Sequence, residues 1–324
     1  MSTLRALLLE TIDEAAHAKL EQQSATTLAP SPDADLDAND LTDVDAIITR
    51  GRGHVTSDLI ARCPNLRVIG RCGVGLDNVD VSAATAAGVA VINAPGSPTT
   101  TTAEHAILLI LALTRQLYPQ IAAVKSDDWA IRSRVNADEC AGKTLGVVGL
   151  GAIGCRVAEL SAALGMEVIA YNRTNQDRHG GRTSVRRRPF AELLAESDIV
   201  SLHVALTPET RGLVGRAELA AMKPGALLVN AARGGLVDVD ALLEVLDSGR
   251  LAGYAADGVD PEPPAVGDRL IHHPRTIITP HSAALTASTY RRMCLRTVQN
   301  VLGYLTGSDY EAESVFNLGQ LSGA

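Results

Sequence analysis

The sequence predicts an α/β protein built mainly on a doubly wound parallel sheet. From residue 144 onward, strand-like apolar runs alternate with helical stretches, and one strand runs directly into a G-x-G-x-x-G turn. Residues 1–97 show a shorter alternation of their own. Such alternation is typical of parallel strands joined by right-handed helical crossovers. Because 324 residues exceed the roughly 150 of a typical domain, we expect two domains.

The first predicted domain covers residues 1–97. Apolar runs and helical periodicity predict strands at Leu4–Leu9, Ala46–Thr49 and Val68–Gly70, and helices at Glu14–Glu21 and Ser57–Cys63. The glycine-rich segment Gly70–Asp80 follows the third strand, and its backbone amides at Cys72, Gly73, Val74 and Gly75 could hold a small carboxylate. On these residues alone, an ordinary β-turn is the alternative.

The second predicted domain covers residues 98–285, after the boundary cluster Pro95-Gly96-Ser97-Pro98. It begins with a mostly buried helix, Ala103–Leu117. Further strands are predicted at Val168–Tyr171, Ile199–His203, Ala226–Asn230, Gly253–Asp257 and Thr276–Thr279, with a helix at Val239–Ser248. A long helix from Thr286 to Leu305 leaves this domain, and residues 286–324 are expected to complete the first one.

The glycine turn contains Gly149, Gly151 and Gly154 and lies between a strand from Thr144 and a helix that ends near Gly165. In such a turn the first glycine permits a tight bend, the second admits a pyrophosphate, and the third allows close helix packing. The N-terminus of the helix favours the phosphates through its N–H groups and dipole. The context predicts dinucleotide binding; a glycine-rich turn that binds nothing is the alternative.

Composition excludes several classes of protein. The net charge of -8 argues against nucleic acid or an anionic membrane as the main partner. The longest apolar run, Ala106–Leu113, is far short of the ~20 residues that span a bilayer, and no signal peptide is evident. The five cysteines form no C-x-x-C pair, which fits a reducing, cytoplasmic location, and no metal site is expected.

Six blocks of sequence resemble the D-isomer-specific 2-hydroxyacid dehydrogenase family, and within it the phosphoglycerate dehydrogenases. These blocks are Gly70–Asp80, Asn93–His105, Gly142–Gly154, Val229–Asp240, Asp257–Pro263 and Thr279-Pro280-His281. The resemblance implies a Rossmann nucleotide-binding domain, a smaller flavodoxin-like α/β substrate domain, and a homodimer formed through the nucleotide-binding domains. It also implies that the regulatory C-terminal domain of the long phosphoglycerate dehydrogenases is lacking.

Matched by motif, Arg233, Glu262 and His281 correspond to the catalytic set of that family. Reduction of a 2-keto acid needs a hydride from nicotinamide, a proton for the carbonyl oxygen, and a clamp for the carboxylate. An imidazole can donate the proton, a carboxylate can orient it, and a guanidinium can hold the substrate oxygens. Formate dehydrogenases of this fold carry glutamine in place of Glu262, which argues against that reaction.

Cofactor contacts are expected from Gly149, Gly151, Ala152, Ile153, Gly154, Asn172, Arg173, Thr174, Thr207 and Asp257. Where NAD-dependent members carry an aspartate for the ribose hydroxyls, this chain has Asn172-Arg173. Without that carboxylate a 2′-phosphate is not repelled, and Arg173 supplies a cation for it, so NADP(H) is favoured over NAD(H). The alternative is that Asn172 binds the ribose while Arg173 faces solvent.

Two departures from the family pattern bear on the substrate pocket. Gly258-Val259 stands where members often have Val-Phe, and Ser282-Ala283-Ala284 where Ile-Gly-Gly is common. These changes are expected to reshape the surroundings of Glu262 and His281.

Substrate contacts are expected from Arg50 and Arg71 and from the loop of Cys72, Gly73, Val74 and Gly75. The two arginines match residues that contact the substrate phosphate in phosphoglycerate dehydrogenases. They predict a D-2-hydroxy acid or 2-keto acid with a second anionic group, although each could be a surface arginine. The alternative enzyme is an NADPH-dependent glyoxylate/hydroxypyruvate reductase, and a nucleotide-sensing protein resembling the corepressors of this fold is a distant alternative.

Overall fold

Two parallel sheets organise the protein, which we describe from a computed structural model of residues 4–32, 34–36, 41–173 and 185–321. The chain forms two compact units. The first comprises Met1–Pro98 with Leu285–Ala324, and the second comprises Thr99–Ala284. The observed α/β architecture confirms the predicted fold class.

The helices of the described chain differ widely in length. In chain order they are α1 (Glu14–Glu21), α2 (Ser57–Arg62), α3 (Val81–Ala86), α4 (Thr99–Thr114), α5 (Leu117–Lys125), α6 (Ala152–Ala163), α7 (Phe190–Glu196), α8 (Arg216–Ala221), α9 (Val239–Asp247), α10 (Arg269–His272), α11 (Ala287–Thr306) and α12 (Leu318–Leu321). Short 3-10 turns at Trp129–Ser133, Gly234–Leu236 and Ala312–Ser314 supplement them.

The sheet of the first unit has five parallel strands in the order β2-β1-β3-β4-β5, which is the flavodoxin-like order. The strands are β1 (Leu4–Leu8), β2 (Ser24–Leu28), β3 (Ala46–Thr49), β4 (Val68–Arg71) and β5 (Ala90–Ile92). Strands β2 and β5 were not predicted from the sequence. The reason is that β2 is a polar, largely exposed edge strand, and β5 has only three residues.

Apolar side chains cover both faces of this sheet. Successive residues of β1 alternate, so that Ala6 and Leu8 enter one core cluster and Leu7 enters the other. The long helix α11 contributes Val298 and Val301 to the first of these clusters. Residues after 285 therefore help to build the core of the first unit.

The sheet of the second unit has seven parallel strands in the order β12-β11-β10-β9-β6-β7-β8. The strands are β6 (Thr144–Val148), β7 (Glu167–Tyr171), β8 (Arg186–Arg187), β9 (Ile199–Leu202), β10 (Leu227–Asn230), β11 (Gly253–Asp257) and β12 (Thr276–Thr279). The chain winds outward in both directions from the adjacent pair β6 and β9. The carboxyl ends of such a pair mark the switch point at which open α/β sheets bind ligands.

The predicted helix at 103–117 is wrong at both ends. Helix α4 begins within the threonine run at Thr99 and ends at Thr114, and Gln116, at φ +49°, separates it from α5. Among the described residues no single helix is long and apolar enough to cross a membrane. Helices α4 and α5 pass that test only when they are taken together, across a 66° bend.

Candidate active site

The three glycines of the turn after β6 meet different surroundings. A Cβ on Gly149, which has φ +100°, would lie 2.6 Å from the carbonyl oxygen of His203, and one on Gly154 would lie 1.9 Å from that of Gly149. Gly151 is different, because a Cβ there would meet no described atom within 4 Å. Gly149 and Gly154 therefore allow close backbone packing, whereas Gly151 faces open space.

Helix α6 begins directly after Gly151, and no side chain in the described chain caps its N-terminus. The first-turn amides, which include those of Ala152 and Ile153, are thus available to an external anion. An uncapped helix N-terminus beside an open glycine fits the pyrophosphate of a dinucleotide.

The residues after β7 lie near the Thr207 loop. Asn172 is half-buried and Arg173 is exposed, while Thr174 falls outside the described residues. The pKa of the Glu209 carboxyl is lowered, chiefly by a 2.7 Å hydrogen bond from the Thr207 hydroxyl and to a smaller extent by the charge of Arg173. Two predicted cofactor residues, Arg173 and Thr207, therefore flank the same carboxylate.

His281 and Glu262 form a hydrogen-bonded pair after β11 and β12. His281 Nδ1 lies 2.8 Å from Glu262 Oε2, and both side chains are about 40% exposed. The second carboxylate oxygen, Glu262 Oε1, accepts a hydrogen bond of 3.2 Å from the backbone N–H of Val259. Gly258 makes this arrangement possible, because a Cβ there would lie 2.2 Å from Glu262 Oε1.

A buried carboxylate, Asp257, holds the loop that carries His281. It accepts hydrogen bonds of 2.8 Å from the backbone N–H groups of Ser282 and Ala283, and one of 2.7 Å from the Thr279 hydroxyl. His105 Nε2 in turn lies 2.9 Å from that hydroxyl. These contacts flank His281, whose φ of +52° is uncommon for a residue other than glycine. Asp257, predicted to contact the cofactor, therefore orients the loop of the histidine.

The turn that carries Arg233 packs against the loop that carries Glu262. Asn230 Nδ2 donates a 2.7 Å hydrogen bond to the carbonyl oxygen of Arg233 and so fixes this turn at the end of β10. A Cβ on Gly234 would lie 2.3 Å from the carbonyl carbon of Val259. The second unit thus brings Arg233, Glu262 and His281 to adjacent loops at the carboxyl edge of its sheet.

The first unit places Arg50 and Arg71 at the carboxyl ends of adjacent strands. Thr49 of β3 is in register with Arg71 of β4. The Arg71 guanidinium occupies the space beside Gly73, where a Cβ would lie 1.5 Å from Nη1, and its Nη2 reaches to 4.0 Å from the Cβ position of Gly51. The two loops that follow these strands are therefore neighbours.

The loop of residues 72–75 offers only part of the cradle that was predicted. The N–H groups of Cys72 and Gly73 donate to the carbonyl oxygens of Thr49 and Arg71. Within the described part of the chain, no acceptor takes the N–H of Val74 or Gly75. Cys72 itself is buried, and Val74 is 38% exposed. Only the second half of the loop is open to a carboxylate.

Two residues at these loops, Glu10 and Tyr290, were not predicted from the sequence. Glu10 accepts hydrogen bonds from the loop after β3, and Tyr290 of α11 contacts the Arg50 side chain. Their partners lie 40 and 240 positions away, so no local pattern indicates them. Among the described residues, no group of three or more His, Cys, Asp or Glu side chains could hold a metal ion.

Comparison with known proteins identifies the family and several relatives of this chain. The family described as D-isomer specific 2-hydroxyacid dehydrogenase, NAD binding domain, matches residues 107–283. The D-3-phosphoglycerate dehydrogenase of Bacillus subtilis is 40% identical over 272 residues, which are 84% of this chain and 51% of that protein. A glyoxylate reductase of Aeropyrum pernix is 36% identical over 271 residues, which are 82% of this chain and 81% of that protein.

A solved structure of similar fold is the NADPH-dependent glyoxylate/hydroxypyruvate reductase of Sinorhizobium meliloti, in complex with NADP and malonate. It superposes with a TM-score of 0.87 at 28% identity and covers 97% of this chain and 98% of that one. The chain belongs to the D-isomer specific 2-hydroxyacid dehydrogenases, and residues 107–283 correspond to their NAD-binding domain. It spans about half the length of the curated phosphoglycerate dehydrogenases that it matches.

Proposed function

We propose that this protein transfers a hydride between a nicotinamide cofactor and a D-2-hydroxy acid/2-keto acid pair. The observation that carries the proposal is the 2.8 Å contact between His281 Nδ1 and Glu262 Oε2 beside the turn of Arg233. The cofactor supplies or accepts the hydride when it is bound. Unit Thr99–Ala284 is the cofactor domain in this proposal, and the other unit is the substrate domain.

In this proposal His281, Glu262 and Arg233 carry out proton transfer, orientation of the imidazole and substrate binding. Glu262 holds the Nδ1 side of the His281 imidazole, so Nε2 is the atom that donates a proton to the carbonyl oxygen during reduction. The carboxylate stabilises the imidazolium in the opposite direction, when His281 takes the proton from the hydroxy acid. Arg233, with its fork of donors, holds the substrate carboxylate and polarises the carbonyl.

Replacement of His281 tests this division. His281→Ala should lower kcat by roughly 100-fold or more, because proton transfer loses its donor. The dissociation constant of NADPH should change little, since the glycine turn and α6 are untouched. Unchanged turnover would remove His281 from the mechanism.

The cofactor in this proposal is NADP(H) rather than NAD(H). Support comes from Asn172-Arg173 after β7, where this chain has an amide and a cation in place of the aspartate that would repel a 2′-phosphate. Arg173→Ala should raise the KM for NADPH about tenfold and leave the KM for NADH nearly unchanged. Equal changes for the two cofactors would contradict the assignment.

The substrate in this proposal carries a second anionic group, as 3-phosphoglycerate does. Arg50 and Arg71, on adjacent strand ends, support it. Arg71→Ala should then raise the KM for a doubly anionic substrate selectively. The second candidate is a glyoxylate/hydroxypyruvate reductase, because the Aeropyrum pernix glyoxylate reductase is matched over 81% of its own length. If this chain were such a reductase, it would not distinguish substrates that carry a second anionic group from those that lack one.

The proposed assembly is a homodimer in the cytoplasm. Helix α5 buries none of its residues, and Leu117, Tyr118, Ile121 and Val124 are between 44% and 63% exposed, with Trp129 at 71%. Apolar surface of this kind is typical of an interface between subunits. All five cysteines are free, which supports a reducing compartment. Light scattering should give the mass of a dimer for the wild type and of a monomer for Ile121→Asp.

A further inference from the structure

The loop after β3 forms a concave run of backbone amides, and the chain fills it with its own carboxylate. Glu10 Oε1 accepts hydrogen bonds from the N–H groups of four consecutive residues: Arg50 (3.0 Å), Gly51 (2.6 Å), Arg52 (2.8 Å) and Gly53 (3.0 Å). Successive amides that converge in this way make an anion-binding nest. Glu10 is only 6% exposed, so the anion in this nest is internal.

The carboxylate stays charged despite its burial. Burial alone would raise the pKa of Glu10, but the hydrogen bonds from Gly53, Gly51, Arg50 and Arg52 outweigh it and hold the pKa below its ordinary value of 4.5. A second contact joins Glu10 Oε2 to Arg50 Nε at 3.4 Å. Glu10 therefore binds both the backbone and the side chain of the arginine loop.

Tyr290 holds the Arg50 guanidinium from the other side. Its ring centroid lies 5.4 Å from Arg50 Cζ, and Arg50 Nη1 donates a 3.2 Å hydrogen bond to the Tyr290 hydroxyl. That hydroxyl donates in turn to the carbonyl oxygen of Thr11, the residue next to Glu10. The Arg50 side chain remains 32% exposed between Glu10 and Tyr290, so part of its guanidinium can still bind a ligand.

We propose that Glu10 is a positioning residue that fixes the 50–53 loop and holds Arg50 ready for the second anionic group of the substrate, with Tyr290 as its partner. This inference rests on the proposed function for the identity of the ligand. Because Glu10 already fills the nest, the backbone amides of residues 50–53 cannot bind the substrate. At this loop the arginine side chains remain to do so, and their selectivity depends on the internal carboxylate.

The first test is a set of conservative variants of the full chain, assayed with 3-phosphohydroxypyruvate and with hydroxypyruvate. Glu10→Gln removes the charge at nearly the same volume and should raise the KM for 3-phosphohydroxypyruvate about tenfold or more, with kcat within about twofold. The KM for hydroxypyruvate should stay within about twofold. Tyr290→Phe should also raise the KM for 3-phosphohydroxypyruvate, but by a smaller factor, since the ring remains beneath the guanidinium.

Glu14→Gln is the matched control, because Glu14 is an exposed carboxylate four residues further along. Glu14→Gln should change neither the KM for 3-phosphohydroxypyruvate nor the KM for hydroxypyruvate. Equal rises in KM for the two substrates, or a fall in kcat alone, would show that Glu10 serves only the stability of the loop and would overturn the proposal.

The second test empties the nest and refills it. Glu10→Ala leaves four converging N–H groups, and formate has the carboxylate to bind them. Formate should raise the thermal midpoint of Glu10→Ala in a saturable manner, at concentrations that leave the wild type unchanged, and should restore the KM for 3-phosphohydroxypyruvate. If this variant is recovered unfolded, the yield of folded protein on refolding with formate is the readout. No response to formate in midpoint or yield would contradict the internal-anion assignment.

The two tests separate this inference from the proposed function. If the wild type itself shows no preference for 3-phosphohydroxypyruvate over hydroxypyruvate, the proposed substrate class is wrong, whatever the variants do. If the wild type shows the preference and Glu10→Gln retains it, the substrate class stands and the role given to Glu10 is wrong.

Discussion

Two loops of this protein present converging backbone amides at the carboxyl ends of parallel strands, and they differ in what fills them. The turn of Gly149–Gly154 has an uncapped helix behind it and open space at Gly151. The 50–53 loop encloses the buried carboxylate of Glu10. Converging backbone N–H groups are thus left open to an external anion in the second unit, whereas in the first unit they bind the chain's own carboxylate.

Converging backbone amides therefore serve two different purposes in this protein. Open amides bind an external anion, and the glycines keep side chains away from it. Filled amides cannot bind a ligand, but they fix the backbone from which Arg50 projects. Recognition then passes from the backbone to side chains, which can be more selective for the shape and charge of a small substrate.

The largest effect is expected from a substitution that makes the open loop resemble the filled one. Gly151→Asp places a carboxylate at the N-cap of α6, where φ is -77° and a Cβ has room. It should raise the dissociation constant of NADPH on the order of 1,000-fold, since it occupies amides that the pyrophosphate needs and repels its charge. Equilibrium titration of cofactor fluorescence measures this.

Stability separates that effect from misfolding. Aspartate is a favourable N-cap residue, so the thermal midpoint of Gly151→Asp should be unchanged or slightly raised. Gly151→Ala, which adds volume without charge, should weaken NADPH binding far less. Similar losses in these two variants would mean that the helix N-terminus does not bind the phosphates.

Acid should weaken the two units in different ranges of pH. Burial lowers the pKa of His203, which lies behind the glycine turn, from an ordinary 6.5 to about 4. Between these two pH values the imidazole stays neutral in the folded chain, whereas it takes up a proton in the unfolded chain. Stability from His203 should therefore fall by about 3 kcal/mol between pH 6.5 and 4. The contribution of Glu10, whose pKa is lowered, persists to lower pH and is lost below its ordinary 4.5.

Calorimetry between pH 7 and pH 4 checks this order. The His203→Asn variant should lose less stability than the wild type over that interval, because the group that titrates in the unfolded state is gone. Parallel curves for the two proteins would show that His203 is not the group responsible.

A smaller effect is expected at Gly258, where the family pattern has a larger residue. A Cβ there would lie 2.2 Å from Glu262 Oε1, and φ is +104°. Gly258→Ala should displace Glu262 from His281 and lower kcat about tenfold, because the imidazole loses the carboxylate that orients it. If kcat remains that of the wild type, Gly258 does not position Glu262.

The sequence predicted the parts of this fold that are locally encoded. Continuous apolar runs marked β6 and its neighbours, and the glycine turn had its own spacing. Arg233, Glu262 and His281 each lie in a short motif, and their catalytic roles stay a prediction. The polar edge strand β2 was missed because strand pairing, not side-chain pattern, maintains it.

Glu10 illustrates what local pattern cannot reveal. In the sequence it is one acidic residue before a helix, and its four donors lie 40–43 positions further along. Only the pairing of β1 with β3 brings it beneath the 50–53 loop. Asp257 is similar, because its carboxylate binds the backbone 25 and 26 residues away and so orients His281.

The proposed substrate class is tested by the initial rate of NADPH oxidation with 3-phosphohydroxypyruvate and, in parallel, with hydroxypyruvate, with NADH as the control cofactor. We expect a kcat/KM at least about tenfold higher for the phosphorylated substrate, because the proposed contacts of Arg50 and Arg71 would each add a charged interaction with its second anion. Equal or higher values with hydroxypyruvate would contradict it and make the protein a general 2-keto acid reductase.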